Sequence, residues 1–266
     1  MEINTSFLTF VILGLIYIIL QDKARVLDHL SRFGDYYQAV WLWIREKGSK
    51  IIRDEDEIND AWATHALIML MVASQVLAFT LSYDAIVAQF GFIPAYAAEA
   101  WRWITHIFLH ANYPIEVAPY LSMHLLGNIV FFYMFGDNVE EWLRRFRYDI
   151  LGTEINIFAA LFIIFGVIAA AVQATIMGWS STVAMIGASG AISGIMGMYL
   201  VLFPNNSVYV GEKGPVPAYM FLTLWFVSNI LSNDPVVATI AHAGGFAAGA
   251  ASAAILRKVA TDVKQR

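Results

Sequence analysis

Four polar side chains fall where polar side chains are costly. Ser189 lies in Gly187-Ala188-Ser189-Gly190, His242 lies near the start of an apolar run, and His124 and Asn128 are four residues apart in another. The i, i+4 spacing puts His124 and Asn128 on one face of a helix. A polar group in hydrocarbon is by default a candidate for function. A hydroxyl is a weak nucleophile until a base takes its proton, and imidazole is the usual base. Acyl transfer further needs donors aimed at the oxygen that turns negative. Ser189 and His242 have the chemistry of the first pair. His124, Asn128 and the free N–H groups that begin a helix have the chemistry of the second. No Asp or Glu falls in the Ser189 or His242 run, so a Ser–His dyad without a carboxylate is the economical reading. With no Cys and six His in no ligand-like spacing, no thiol nucleophile, metal or other cofactor is expected.

The elements that must hold these groups are membrane spans. Of 266 residues 59% are hydrophobic and 14% charged, with mean hydropathy +0.62. Soluble domains carry about 25% charged residues, so a water-soluble enzyme is excluded, and a disordered chain with it. A net charge of −5 leaves no basic surplus for a nucleic-acid partner. The stretches free of Asp, Glu, Lys and Arg are 3–21, 61–83, 117–136, 155–211, 214–233 and 235–256. A crossing takes about 20 apolar residues, so 155–211 must hold two. Gly178-Trp179-Ser180-Ser181-Thr182 divides it and Pro204-Asn205-Asn206 ends the second half. Seven spans are therefore expected. The first has neither a basic leader nor an obvious small-x-small cleavage site, and is read as a retained helix.

The expected organisation is all-α and polytopic. It comprises an N-terminal transmembrane helix (1–21), a polar cytoplasmic or interfacial segment (22–60), a six-helix core (61–256) and a cytoplasmic tail (257–266). Alternating seven spans places every Lys and Arg except Arg102 on one side, and the basic side of a membrane protein is cytoplasmic. The N-terminus is then outside and the C-terminus inside. The helices bearing Ser189, His242 and the His124–Asn128 pair all run inward from the outer face. Each of the four residues lies within two turns of its helix start, a depth of about 3–12 Å. They share one plane.

Simpler readings exist for each residue alone. Gly-x-Ser-Gly and Gly245-x-x-x-Gly249 are also small-residue packing surfaces, and the second is read as packing. His65 suits a local hydrogen bond. His106 and His110 suit solvated positions in the long 84–116 connection, whose aromatic residues (Phe90, Phe92, Tyr96, Trp101, Trp103, Phe108) assign it to the membrane interface. The coincidence of depth favours chemistry.

Five motifs, in order, resemble those of the rhomboid intramembrane serine proteases. Trp101-Arg102-Trp103-Ile104-Thr105-His106-Ile107-Phe108-Leu109-His110 is similar to the family's Trp-Arg loop, and His124-Leu125-Leu126-Gly127-Asn128 to its His-x-x-x-Asn. Phe135-Gly136-Asp137-Asn138-Val139-Glu140 is similar to its Gly…Glu segment. Gly187-Ala188-Ser189-Gly190 resembles the nucleophile motif, and Ala241-His242-Ala243-Gly244-Gly245-Phe246-Ala247-Ala248-Gly249 the histidine motif. The resemblance implies Ser189 as nucleophile, His242 as general base, and His124, Asn128 and the Ser189 N–H as the oxyanion hole. It further implies close packing at Gly245, an outer-leaflet anchor at Trp101 and Arg102, and a substrate gate at Phe221 and Trp225. The implied substrates are transmembrane proteins whose helices reach the site sideways from the lipid bilayer. A prokaryotic plasma membrane is the simplest location, and an organelle membrane is the alternative. At Ser193 some members carry an aromatic ring that stacks on the histidine; Tyr199 or Phe246 are the candidates to replace it. The span at 3–21 is additional to the family's six-helix core. The rival readings are a catalytically inert rhomboid-like protein that binds membrane proteins, and a transporter or channel.

Overall fold

Apolar stretches become helices because only a helix satisfies its own backbone in lipid. The computed structural model describes residues 61–112, 114–115, 118–146, 148–150, 153–155, 157–209, 215–231 and 239–264. The helix expected at 3–21 and the polar segment 22–60 lie outside them. The described helices are α1 (Trp62–Leu81), α2 (Tyr83–Phe90), α3 (Arg102–Thr105), α4 (Met123–Leu143), α5 (Ile157–Met177), α6 (Ser189–Leu202), α7 (Ala218–Leu231) and α8 (Thr239–Lys264). By length and composition α1, α5 and the Thr239–Ala260 part of α8 can each cross a membrane, and α6 is a shorter apolar helix. The chain is an all-α polytopic membrane protein. Three antiparallel ribbons sit in the connections: β1 (Pro114–Ile115) with β2 (Ala118–Ser122), β3 (Tyr148–Ile150) with β4 (Thr153–Ile155), and β5 (Ser207–Tyr209) with β6 (Pro215–Pro217).

Two boundaries differ from those expected. Helix α4 starts at Met123 and runs through Asp137, Glu140 and Glu141 to Leu143, beyond the charge-free stretch that ended at 136. The reason is that Glu140 is fully buried and spent on another helix. Its carboxylate accepts from Ala63 N–H (3.0 Å), Thr64 N–H (2.7 Å) and the Thr64 hydroxyl (2.9 Å). These N–H groups begin α1, where helices lack internal acceptors and favour negative charge. Helix α8 likewise continues past 256 through Arg257 and Lys258 to Lys264. Arg and Lys are good helix formers and extend their charges away from apolar surface, so the expected tail continues the helix.

Helix α6 is central. Every residue from Gly190 to Tyr199 is buried, among α4, α5 and α8. The α6–α8 seam is backbone against backbone: a Cβ on Gly245 would collide with the Gly190 carbonyl, and one on Gly249 with the Gly194 carbonyl. Between α4 and α5, Phe162 packs on Phe132 with ring centroids 4.8 Å apart. Glycine at the seam brings the starts of α6 and α8 side by side.

Candidate active site

Ser189 is the first residue of α6, and the chain leading to it is held by the long connection between α1 and α4. Phe92 and Met185 exchange backbone hydrogen bonds (3.0 and 2.7 Å), Ala95 N–H donates to the Ser181 carbonyl (3.0 Å), and Gly187 N–H donates to the His106 carbonyl (2.9 Å). The connection is itself clasped by Arg102. Its side chain turns inward and is only 5% exposed. Its guanidinium donates to the carbonyls of Ala88 and Gly91 (both 2.8 Å) and to Glu99 (2.7 Å). Trp101 Nε1–H reaches the Gln89 carbonyl at 3.3 Å.

His106 and His110 are buried, not solvated as the sequence suggested, because the connection folds over them. His106 Nδ1–H donates to the Arg102 carbonyl (2.8 Å). Burial lowers the His106 pKa to about 4, against the opposing pull of its backbone hydrogen bonds. Burial, with the nearby His124, lowers that of His110 to about 3. Both rings are neutral at pH 7.

Ser189 Oγ–H donates to His242 Nε2 at 2.7 Å. A neutral imidazole has one donor and one acceptor nitrogen, and the amide oxygen beside Nδ1 can only accept, so His242 carries its proton on Nδ1 and Nε2 is the acceptor. That proton goes to Asn229 Oδ1 at 3.0 Å. His242 sits in the first turn of α8, where the preceding Ala241 N–H is taken by Gln173 Oε1 (3.1 Å).

His124 has the opposite tautomer. Its Nδ1 accepts the Ala111 N–H at 3.1 Å, leaving the proton on Nε2. The Ser122 hydroxyl caps α4 through the Leu125 N–H (3.0 Å) and fixes the turn that carries His124. Gly187 lies between this ring and the serine. Its φ of +123° favours glycine. A Cβ there would stand 3.3 Å from His124 Nε2, 2.8 Å from Cε1 and 3.7 Å from Ser189 Oγ. Asn128 Nδ2 donates one of its two protons to the His124 carbonyl (2.8 Å), so one remains.

The aromatic groups are arranged differently from the sequence expectation. Tyr199 lies ten residues beyond Ser189, about 15 Å along α6, and packs on Phe135 and Phe203. Phe246 packs on Phe226. The ring beside His242 is Trp225, at a centroid distance of 6.1 Å. Trp225 and Phe221 also meet Phe131 of α4, at 5.7 and 6.4 Å.

The sequence pattern of the Rhomboid domain matches residues 97–259. The chain belongs to the rhomboid family. No curated protein matches it. Rhomboids are generally intramembrane serine proteases, and inactive members exist. In this rhomboid, Ser189, His242, His124 and Gly187 converge on one spot, with Asn128 beside His124. Phe221 and Trp225 line the α4–α7 contact. Among the described residues no cluster of three or more His, Asp or Glu has the arrangement of a metal site. Asn229 escaped the sequence reading, which sought a third member only among carboxylates. The available signal was an amide four positions after Trp225 in a helix that carries no charged residue.

Proposed function

We propose that this rhomboid is an intramembrane serine endopeptidase that cleaves transmembrane segments of membrane proteins near the outer face. One observation carries the reading: the 2.7 Å hydrogen bond from Ser189 Oγ to His242 Nε2. In this mechanism a substrate helix passes between α4 and α7 beside Phe221 and Trp225. It must unwind locally, because a helix occupies its own carbonyls. Ser189 Oγ attacks the exposed carbonyl carbon while His242 Nε2 takes the hydroxyl proton. The developing oxyanion receives His124 Nε2–H, the Ser189 N–H and the remaining Asn128 N–H. Collapse expels the amine, which takes the proton from His242, and leaves an ester on Ser189. Water deprotonated by His242 then hydrolyses the ester. Gly245 and Gly249 keep the two reacting helices close, Gly190 packs against Ala169 of α5, Gly187 leaves room beside the His124 ring, and Trp101 and Arg102 brace the connection.

The proposed orientation follows from charge: catalytic groups extracytoplasmic and C-terminus cytoplasmic. The test of activity is a fluorophosphonate probe applied to the full chain in detergent. Wild type is expected to be labelled, with Ser189→Ala and His242→Ala silent. Equal labelling of Ser189→Ala removes the nucleophile, and a silent wild type favours the inert client-binding reading.

A further inference from the structure

We propose that Asn229 of α7 is a positioning residue that completes a Ser189–His242–Asn229 triad. The inference rests on the protease reading and adds a group to it. His242 can accept the serine proton at Nε2 only while Nδ1 holds the ring proton, and that proton needs an acceptor. Asn229 Oδ1 is the acceptor, 3.0 Å away. The amide cannot present its NH2 there instead without giving up a second bond, because Asn229 Nδ2 already donates to the Trp225 carbonyl one turn earlier (3.1 Å). Both ends of the amide are thereby assigned, and the ring has a single productive tautomer. The Thr239 hydroxyl, at the start of α8, donates to the Asn229 carbonyl (3.3 Å) and ties the two helix ends together.

The arrangement also answers how the ring is held. Position 193 is a serine whose hydroxyl donates to the Ser189 carbonyl (2.7 Å), so it does not stack on the imidazole. Trp225 stands 6.1 Å off and tilted by 33°. A hydrogen bond at Nδ1 fixes both the rotation and the tautomer of an imidazole, which a ring contact at that distance does not. When His242 takes the serine proton, the amide oxygen faces the new positive charge without being an ion itself.

The test uses the purified full chain in detergent, with three readouts: fluorophosphonate labelling kinetics, thermal unfolding and ¹⁵N spectra of the histidine rings. The His242 signals are assigned by their loss in His242→Gln. In wild type at neutral pH the His242 ring is expected to be the Nδ1–H tautomer. Asn229→Ala is expected to lower the maximal labelling rate by about 10- to 100-fold, the scale of a buried hydrogen-bond partner lost. The half-saturating probe concentration and the unfolding temperature stay near wild type, and the ring shifts toward the Nε2–H tautomer. Asn229→Asp, which keeps an acceptor, is expected to recover most of the rate, while Thr223→Ala on the exposed side of α7 changes nothing. An Asn229→Ala rate equal to wild type overturns the proposal. So does a wild-type His242 ring protonated on Nε2 alone, a measurement that needs no variant to fold. Loss of labelling in wild type itself sinks the protease reading. Ser189-dependent labelling that ignores Asn229 sinks this inference alone.

Discussion

Gly245→Ala tests whether the backbone seam between α6 and α8 is what sets the hydroxyl–imidazole distance. The added methyl would overlap the Gly190 carbonyl oxygen, with Gly190 C at 3.0 Å and Gly194 N at 3.5 Å. The obstacle is helix backbone in the most buried element, so no side-chain rotation relieves it. Ordinary contact returns only if the helices part by about 1 Å. Applied to Ser189 and His242, that carries a 2.7 Å hydrogen bond to roughly 3.7 Å, outside bonding range. Misplacement of this size costs on the order of 10²-fold in rate, and overpacking costs about 1–3 kcal/mol of stability. Gly127→Ala is the matched control, because a Cβ there meets nothing within 4 Å. In a helix interior that exchange gains about 0.5–1 kcal/mol. Labelling rate and unfolding temperature are measured for both variants. If Gly245→Ala reacts and melts like wild type, the seam does not set the geometry and the reasoning fails.

Other substitutions probe the supports. Glu140→Ala leaves the Ala63 and Thr64 N–H groups and the Thr64 hydroxyl without their acceptor. It is expected to destabilise by roughly 3 kcal/mol, and an unchanged unfolding temperature contradicts this. His106 has its pKa lowered from 6.5 to about 4 by burial, so the unfolded chain binds a proton that the folded chain refuses. Stability should be level above about pH 6.5 and fall as the pH drops toward 4, by on the order of 3 kcal/mol from this group. His110 acts in the same direction, down to about pH 3. Unfolding temperature followed against pH checks the slope, which His106→Asn should reduce; a flat profile between pH 4 and 6.5 refutes it. Asn128→Ala should lower kcat on a cleavable transmembrane substrate by on the order of 10²-fold while KM changes little. An unchanged kcat removes Asn128 from the oxyanion hole.

Much of the architecture is written in the distribution of charge and turn residues. The break at Gly178-Trp179-Ser180-Ser181-Thr182 separates α5 from α6, and the shared depth of Ser189, His242 and His124 follows from where each apolar run begins. What hydropathy misses is tertiary satisfaction. A carboxylate marks the end of a span only when water solvates it, and Glu140 is solvated by the start of α1. His106 and His110 look like surface residues in a loop, yet Arg102 folds that loop on its own carbonyls and encloses them. Asn229 is invisible to a search for charged triad members, and tautomers depend on backbone groups such as Ala111 N–H, far from His124 in function though near in sequence.

The contrast between Glu140 and Asn229 explains why a neutral group faces His242. Removing a carboxylate from water costs several kcal/mol unless hydrogen bonds replace the water. Glu140 meets that condition with three donors, two of them backbone N–H groups that a helix start leaves free. Asn229 sits in the last turn of α7, where backbone N–H groups are already used along the helix. Among the described residues a carboxylate there would have His242 Nδ1–H as its partner. An amide needs less: its oxygen takes the ring proton, its nitrogen serves the Trp225 carbonyl, and no net charge is buried. The same site in water could use an aspartate, but among apolar helices the amide holds the tautomer at lower cost to the fold.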